Sequence, residues 1–573
     1  MAYAITQTCC TDATCVAVCP VNCIHPTPEE RAFGSTEMLY IDPKTCIDCG
    51  ACADACPVDA IFPVDSLTGG RREYADINAA HFGHAVTAPG DGPAPGAGDP
   101  AGIRTEGGPA GALKGSPAGV TAGSPAETPA ETPVGAPAET AVDTPAGSAG
   151  TTAVSRTADP DPRPNLHPWS GPTFDRVLPS DFRPIRVAVV GTGPAGMYAA
   201  EDLLLHTRSE VTLVDRLPVA GGLIRYGVAP DHPATKGIGD TFARFHTHPR
   251  VRMHLGLDVG KDVTAEELAA HHDAVIYAVG AAADRRLGIP GEDLAGSLSA
   301  TLFVAWYNGH PEVAPDAVDL SAGRVVVVGN GNVALDVARI LVSDPEALAG
   351  TEIAGHALEE LRRSKVREVV LLGRRGAEHA AYTRSELLAL KHLPGVDLMV
   401  DDHDPRTGAA IDAAGPGDKA ELLRGVAREA VDWSLDPGAE GRRRIVFRFH
   451  SSPVEVRGDE TVRAVRATGA AGEQEIPAGL ALRAVGHRGV PPAGLPFDEE
   501  TGTVPHEHGR VSGSPGTYVV GWIKRGPSGG IGANRTCAAE TVGTLLADAV
   551  AGALPAPAGG AKAFRRLVRR RRR

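Results

Sequence analysis

A chain of 573 residues with 70 acidic against 56 basic side chains and a formal charge of -14 has room for three or four domains, and that balance argues against nucleic-acid binding by its body. The first residues lack the basic and apolar stretches of a secretory leader, and no run of about 18 apolar residues occurs, so neither export nor a membrane span is expected. Nine of the ten cysteines precede residue 57, with CxxC-type spacing and Cys-Pro ends, which favours metal over a disulfide framework and predicts a reducing, cytoplasmic setting.

Cys46, Cys49, Cys52 and Cys56, with Pro57 after them, form C-x2-C-x2-C-x3-C-P. In such a run three thiolates hold one iron–sulfur cluster and the fourth crosses to another. Upstream, Cys9, Asp12, Cys15 and Cys19-Pro20 repeat the spacing with a carboxylate in the second place. Cross-ligation then puts Cys19 with Cys46, Cys49 and Cys52 on one [4Fe-4S] cluster. Cys9, Cys15 and Cys56 take the other, with Asp12 or no side chain on its fourth iron. A hard carboxylate holds iron less firmly than a thiolate, so this second site is expected as [4Fe-4S] or [3Fe-4S]. Cys10 and Cys23 fall off the register; Cys10 is an alternative to Cys9, and both otherwise pack near the clusters. Residues 1–66 resemble a bacterial two-cluster ferredoxin. Their nine acidic side chains against Arg31 and Lys44 suit steering toward a basic partner, or simply solvate a small domain.

From about residue 86 to 165 the chain is Pro, Gly, Ala, Thr and Ser with near-repeats of PAET. Such a segment cannot bury enough apolar surface to order itself, so residues 67–183 are expected as an extension and a disordered linker. About 80 residues of this kind reach on the order of 50 Å and keep a tethered partner near millimolar effective concentration.

The run VAVVGTGPAG at 187–196 is a buried strand breaking into GxGxxG and a helix. Gly191 permits the turn, Gly193 admits a pyrophosphate, Gly196 lets helix and strand pack, and the helix N-terminus faces the phosphates. The strand 211–214 ends in Asp215, placed to bond a ribose hydroxyl. A second unit, VVVVGNGNVALD, presents Gly329, Asn330, Gly331, Asn332 and Val333 as a phosphate turn. Arg374 and Arg375, after the strand 369–372, are placed to clasp a 2′-phosphate and predict NADPH over NADH. Two such sites beside iron–sulfur ligands indicate a redox enzyme. The fold class is an α/β flavoprotein with two Rossmann-like dinucleotide-binding domains, for FAD and NADP, after a small α+β ferredoxin domain and the linker.

VAVVGTGPAGMYAAEDLL, RLPVAGGLIRYGVAPDHP, GNGNVALDVARIL, GRRG and GWIKRGPSGGIGAN together resemble the adrenodoxin reductase family of ferredoxin-NADP reductases over about 365 residues. With the N-terminal unit, the chain resembles the bacterial ferredoxin/ferredoxin-NADP reductase fusions. That resemblance implies FAD at Gly191, Gly193, Ala195, Gly196, Asp215, Leu223, Val259, Trp522, Gly529, Gly530 and Ile531. It implies NADP at Arg285, Asn330, Gly331, Asn332, Val333, Arg374, Arg375, Glu386 and Gly529. His232 and Trp522 take the catalytic positions, His232 as the proton-handling group near the flavin and Trp522 beside the ring. Alanine at 389 replaces an acid common in the family and leaves any His–carboxylate relay through that position in doubt. Cys537 has no CxxC partner for dithiol chemistry.

The expected layout is ferredoxin 1–66, extension and linker 67–183, FAD domain 184–283 and 487–554, NADP domain 284–486, and a basic, solvated tail 555–573. The expected reaction takes hydride from NADPH to FAD, passes single electrons to the chain's own clusters, and delivers them to a ferredoxin or another acceptor such as a cytochrome P450, reversibly in principle. One alternative is an electron-entry subunit like that of glutamate synthase. A second is an iron–sulfur redox sensor whose basic tail binds nucleic acid.

Overall fold

Val325 to Val328 are all buried, which requires cover on both faces of a strand. In the computed structural model, which describes residues 2–28, 30–84, 176, 178–415, 418–437, 442–470 and 472–572, this run is the strand Arg324–Val328. It lies inside a seven-stranded sheet ordered Ser297–Ser299, Leu480–Arg483, Arg324–Val328, Glu368–Leu372, Arg443–Arg448, Val396–Asp401, Ala427–Glu429. Every adjacent pair is parallel. Alternation along the strand splits the core: Val325 and Val327 join the helices, including Asn332–Val342, while Val326 and Val328 meet Val456, Val465 and Ile476. Those last three come from an antiparallel sheet of Ser452–Arg457, Ala464–Gly469 and Gly472–Pro477.

The first dinucleotide unit lies in a second seven-stranded sheet, ordered His506–Glu507, Arg510–Val511, Thr517–Val519, Ala274–Tyr277, Arg186–Val190, Glu210–Asp215, Val251–Leu255. The chain leaves this sheet after Tyr277, builds the other, and returns so that Thr517–Val519 pairs in parallel with Ala274–Tyr277. Ala283–Asp284 and His487–Arg488 pair antiparallel as the outgoing and returning crossings between the two lobes.

At the N-terminus, Tyr3–Ile5 pairs with Ile61–Pro63 and Ile24–His25 with Tyr40–Ile41. Helices Thr14–Val18 and Ala51–Ala55 each end at a cysteine that precedes proline, Cys19 and Cys56. Beyond residue 66 the helix Glu73–His81 continues this unit: the Asn78 side chain accepts from the backbone N–H groups of Ile5 and Ile41 and donates to the carbonyl of Ile5.

The unit is seated on both lobes. Gly532 N–H donates to the Cys10 carbonyl at 2.8 Å. The Glu37 carboxylate accepts from the N–H of Arg384 at 3.0 Å, at the start of the helix Arg384–Lys391, and pairs with Lys419 at 2.8 Å. Tyr74 donates its hydroxyl to the Ser385 carbonyl at 3.1 Å.

The C-terminal tail departs from the expectation of a solvated end, because Ala561–Arg571 is a helix. Phe564 and Val568 sit one turn apart and are buried with Val190, Val214 and Val519 on one face of the sheet that carries the first dinucleotide unit, leaving the arginines outside. The expected linker at 86–165 lies outside the described residues. No helix among the described residues is long and apolar enough to cross a membrane.

Candidate flavin, nicotinamide and iron–sulfur sites

Both phosphate turns depend on a backbone that only glycine permits. Gly191 has φ 107° and a Cβ there would lie 2.4 Å from the Ala278 carbonyl oxygen; Gly329 has φ 127° and would meet the Ala484 oxygen at 2.3 Å. The helix Pro194–His206 starts one residue after Gly193, and Ala195 and Gly196 lie in its first turn. Asp215 closes the first turn from below. One carboxylate oxygen accepts from the Thr192 N–H (2.8 Å) and hydroxyl (2.5 Å), the other from the Leu217 N–H (2.9 Å). A carboxylate offers about four acceptor directions, so it retains capacity for ribose hydroxyls. Leu223 opens a short helix with its side chain exposed, and half-buried Val259 bridges to Val263. This donor set fits a flavin nucleotide.

In the second unit the Asn332 side chain accepts from the Thr383 N–H at 2.8 Å and that of Asn330 from the Ala381 N–H at 3.4 Å, which ties the turn to the segment that carries Glu386. Val333 is exposed at the turn. Arg374 and Arg375 project from the end of Glu368–Leu372, exposed and outside every ion pair among the described residues. Unpaired guanidiniums at the C-terminal edge of a parallel sheet suit a phosphate monoester. Arg285 is exposed and donates to the His487 carbonyl at 3.3 Å.

A cavity of about 1820 Å3 joins these pieces, with Asn330 to Val333, Arg374, Arg375, Arg285, His232, Glu386, Trp522 and Gly529 to Ile531 all in its wall. Cys9, Cys10 and Thr11 of the N-terminal unit share that wall. The first glycine turn does not, because Gly222 closes on Gly193 so tightly that a Cβ on Gly222 would lie 2.8 Å from the Gly193 Cα. Trp522 is fixed by donating its indole N–H to the Ser528 carbonyl (3.1 Å) and by the His487 ring 5.2 Å away. Past Gly529 and Gly530, the helix Ala533–Val550 points its N-terminus at the same cavity.

His232 does not stand alone. His232, Asp336 and Glu386 bring ligand-type atoms within 4.8 Å of one another, around the buried Arg339. Arg339 bonds both oxygens of Asp231 (2.7 and 3.0 Å), Asp336 (2.7 Å) and His232 Nε2 (3.1 Å), and lies 3.5 Å from Glu386. Burial pushes the Glu386 carboxyl up to about 8, helped by the charge of Asp336 and opposed by Arg339. Burial likewise lowers the basicity of His232. The group therefore favours a neutral imidazole beside a protonated carboxyl near pH 7, and a carboxyl partner for His232 comes from Asp336 and Glu386 instead of position 389. Asp231, Asp336 and Arg339 were missed in the sequence. The signal was there: an aspartate and an arginine three residues apart inside the otherwise apolar NVALDVARILV.

All ten cysteines are free thiols. Burial raises Cys9 to about 12 and Cys10 and Cys15 well above the ordinary thiol range, and the charges of Asp12 and Cys56 press on all three. A second group forms around Cys52, raised to about 12 by burial and by Cys19, Cys46 and Cys49. Cys23 belongs with it, its sulfur 3.3 Å from that of Cys19, and hydrogen bonds from Cys23 lower Cys19 and Cys46 to about 6. Crowded sulfurs that are costly to ionise by themselves are relieved by cationic iron, so both groups fit clusters. Cys10 faces the first group and Cys23 the second, so the off-register thiols lie beside the two groups.

Residues 185–373 match the family described as pyridine nucleotide-disulphide oxidoreductase, and residues 39–62 match the 4Fe-4S binding domain. A probable ferredoxin/ferredoxin-NADP reductase of Mycobacterium bovis is 41% identical over the whole chain and 88% of its own length. NADPH-ferredoxin reductase FprA of Mycobacterium tuberculosis is 46% identical over 64% of this chain and 84% of its own. The structure of that FprA in complex with NADPH superposes with a TM-score of 0.62 at 43% identity, covering 68% of this chain and 90% of the other. With two dinucleotide-type glycine turns, a cysteine-rich N-terminal unit and full-length similarity of this degree, the chain belongs to the ferredoxin/ferredoxin-NADP reductase family.

Proposed function

We propose that the chain moves electrons between NADPH and two iron–sulfur sites of its own N-terminal unit, with FAD as the intermediary. The observation that carries this is the single cavity whose wall contains the second phosphate turn, the Trp522–Ile531 segment and the Cys9–Thr11 loop. FAD supplies the conversion of a two-electron hydride into single electrons, the unit in which clusters accept charge. Arg374 and Arg375 hold the 2′-phosphate while Asn330 to Val333 seat the pyrophosphate, which fixes how far the nicotinamide reaches. Trp522, clamped by Ser528 and His487, shapes the ring site and shields it from water. The N-terminal N–H groups of Ala533–Val550 favour negative charge there. His232, kept neutral by burial, accepts the Arg339 N–H at Nε2 and so carries its proton on Nδ1, beside the carboxyl groups of Asp336 and Glu386.

The cluster pair we propose is Cys19, Cys46, Cys49 and Cys52 for one site, and Cys9, Cys15 and Cys56 with Asp12 in the fourth place for the other. Beyond them, a soluble ferredoxin or a cytochrome P450 in the cytoplasm takes the electrons. Anaerobic titration with NADPH, following flavin absorbance and cluster EPR on one sample, tests the circuit: both are expected to reduce together. A flavin that bleaches fully and stays in equilibrium with oxidised iron would sink it.

A further inference from the structure

Asp12 stands where a fourth thiolate would complete its quartet, yet a reductase side chain already engages its carboxylate. Asp12 Oδ2 accepts the Thr14 hydroxyl, and Arg535 reaches both, its Nη1 2.8 Å from Thr14 Oγ1 and 3.4 Å from Asp12 Oδ2. Little solvent competes, since the Asp12 side chain is 9% exposed and that of Arg535 19%. Arg535 lies in the first turn of Ala533–Val550 with its guanidinium carbon 5.9 Å from the centre of the Tyr198 ring, so its direction is set by the reductase. The loop that presents Asp12 is shaped for the contact. Thr11 and Ala13 take φ of 54° and 60°, and a Cβ on Gly532 would lie 2.1 Å from the Cys10 carbonyl oxygen. Only glycine at 532 lets the loop come down onto Arg535.

We propose that Arg535 is a positioning residue that holds Asp12 away from the iron site while the ferredoxin unit is docked, and releases it to ligate a fourth iron when the unit leaves. The inference rests on the assignment of Cys9, Cys15 and Cys56 as ligands. The carboxylate cannot turn to a metal without giving up a charge-assisted, largely buried hydrogen bond to Arg535. The step balances without a redox event: the one-electron-reduced three-iron cluster binds one ferrous ion to become the four-iron cluster, gaining two positive charges, while one Asp12 oxygen exchanges guanidinium for iron. Iron occupancy at this site thereby follows docking.

The test uses the full chain, anaerobically reconstituted, reduced with dithionite and titrated with ferrous ion. The readouts are iron per polypeptide and the three-iron EPR signal after reoxidation. Wild type is expected to keep the three-iron signal, whereas R535Q takes up the fourth iron at about tenfold lower ferrous concentration, the scale of one charge-assisted hydrogen bond. R535K restores the wild-type behaviour in part, and D12A/R535Q loses the gain. G532V, which pushes the loop off while leaving the arginine in place, behaves like R535Q. Equal uptake by wild type and R535Q, in a protein that holds both clusters, or a gain that survives in D12A/R535Q, overturns the inference alone. Iron content indifferent to C9S and C56S overturns the ligand assignment and the inference with it.

Discussion

Arg374 and Arg375 are the pair proposed to set the choice of nucleotide, exposed at the end of Glu368–Leu372 and in the same cavity wall as the second glycine turn. Replacing both with alanine is expected to lower kcat/KM for NADPH by roughly 100-fold, about 2 to 3 kcal/mol for lost charge-assisted bonds, with little change for NADH; parallel kinetics with the two nucleotides check this. Glu386 gives a pH signature. Its folded carboxyl titrates near 8, above its value of 4.5 when unfolded, so its contribution to stability is complete below about 4.5 and is lost as pH rises through 8. E386Q should therefore flatten the fall of thermal stability between pH 5 and 8, read as Tm across that range; an unchanged profile would place the titration elsewhere. At this scale, legibility followed distance along the chain. The glycines and arginines stand within a few residues of their strands, so their placement could be read directly. The partners of His232 come from positions 336, 339 and 386, and only packing brings them together.

Strands and turns were legible because buried apolar runs and glycine breaks are local signals, as at Arg186–Val190 and Arg324–Val328. The helix Ala561–Arg571 was not, since its charge run dominates its composition. Yet Phe564 and Val568 have the i, i+4 spacing of a seam, and the Phe564 ring packs 5.3 and 5.1 Å from those of His254 and His272. F564A is expected to cost about 3 kcal/mol in this seam, measured by denaturant unfolding. Acid should detach the helix too. Burial holds His254 and His272 at about 4, below their ordinary value of 6.5, so the stability they allow is complete above 6.5 and is lost as pH falls toward 4. Proteolysis after Gly560 that accelerates between pH 6 and 4 would report that release; a rate independent of pH would count against it.

Across the whole molecule, the N-terminal unit bridges both lobes through polar contacts that include Glu37 to Lys419 and the Arg384 N–H, Glu73 to His392, Cys10 to Gly532, Asp12 and Thr14 to Arg535, and Tyr74 to Ser385. The partly exposed ion pair of Glu37 with Lys419 is worth at most about 1 kcal/mol and weakens with salt. E37K opposes Lys419 and the positive end of Arg384–Lys391, and should slow cluster reduction by NADPH several-fold while flavin bleaching keeps its rate; stopped-flow absorbance separates the two. None of this docking could be read from the sequence, since its partners lie hundreds of positions apart.

Gln7, Thr8, Phe33 and Thr36 of the N-terminal unit stand in the same cavity wall as Asn330 and Arg374, so the N-terminal unit itself frames the approach to the second glycine turn. Lifting that unit from its seat would remove part of the wall, so access to the nucleotide turn and contact with the N-terminal unit share one boundary.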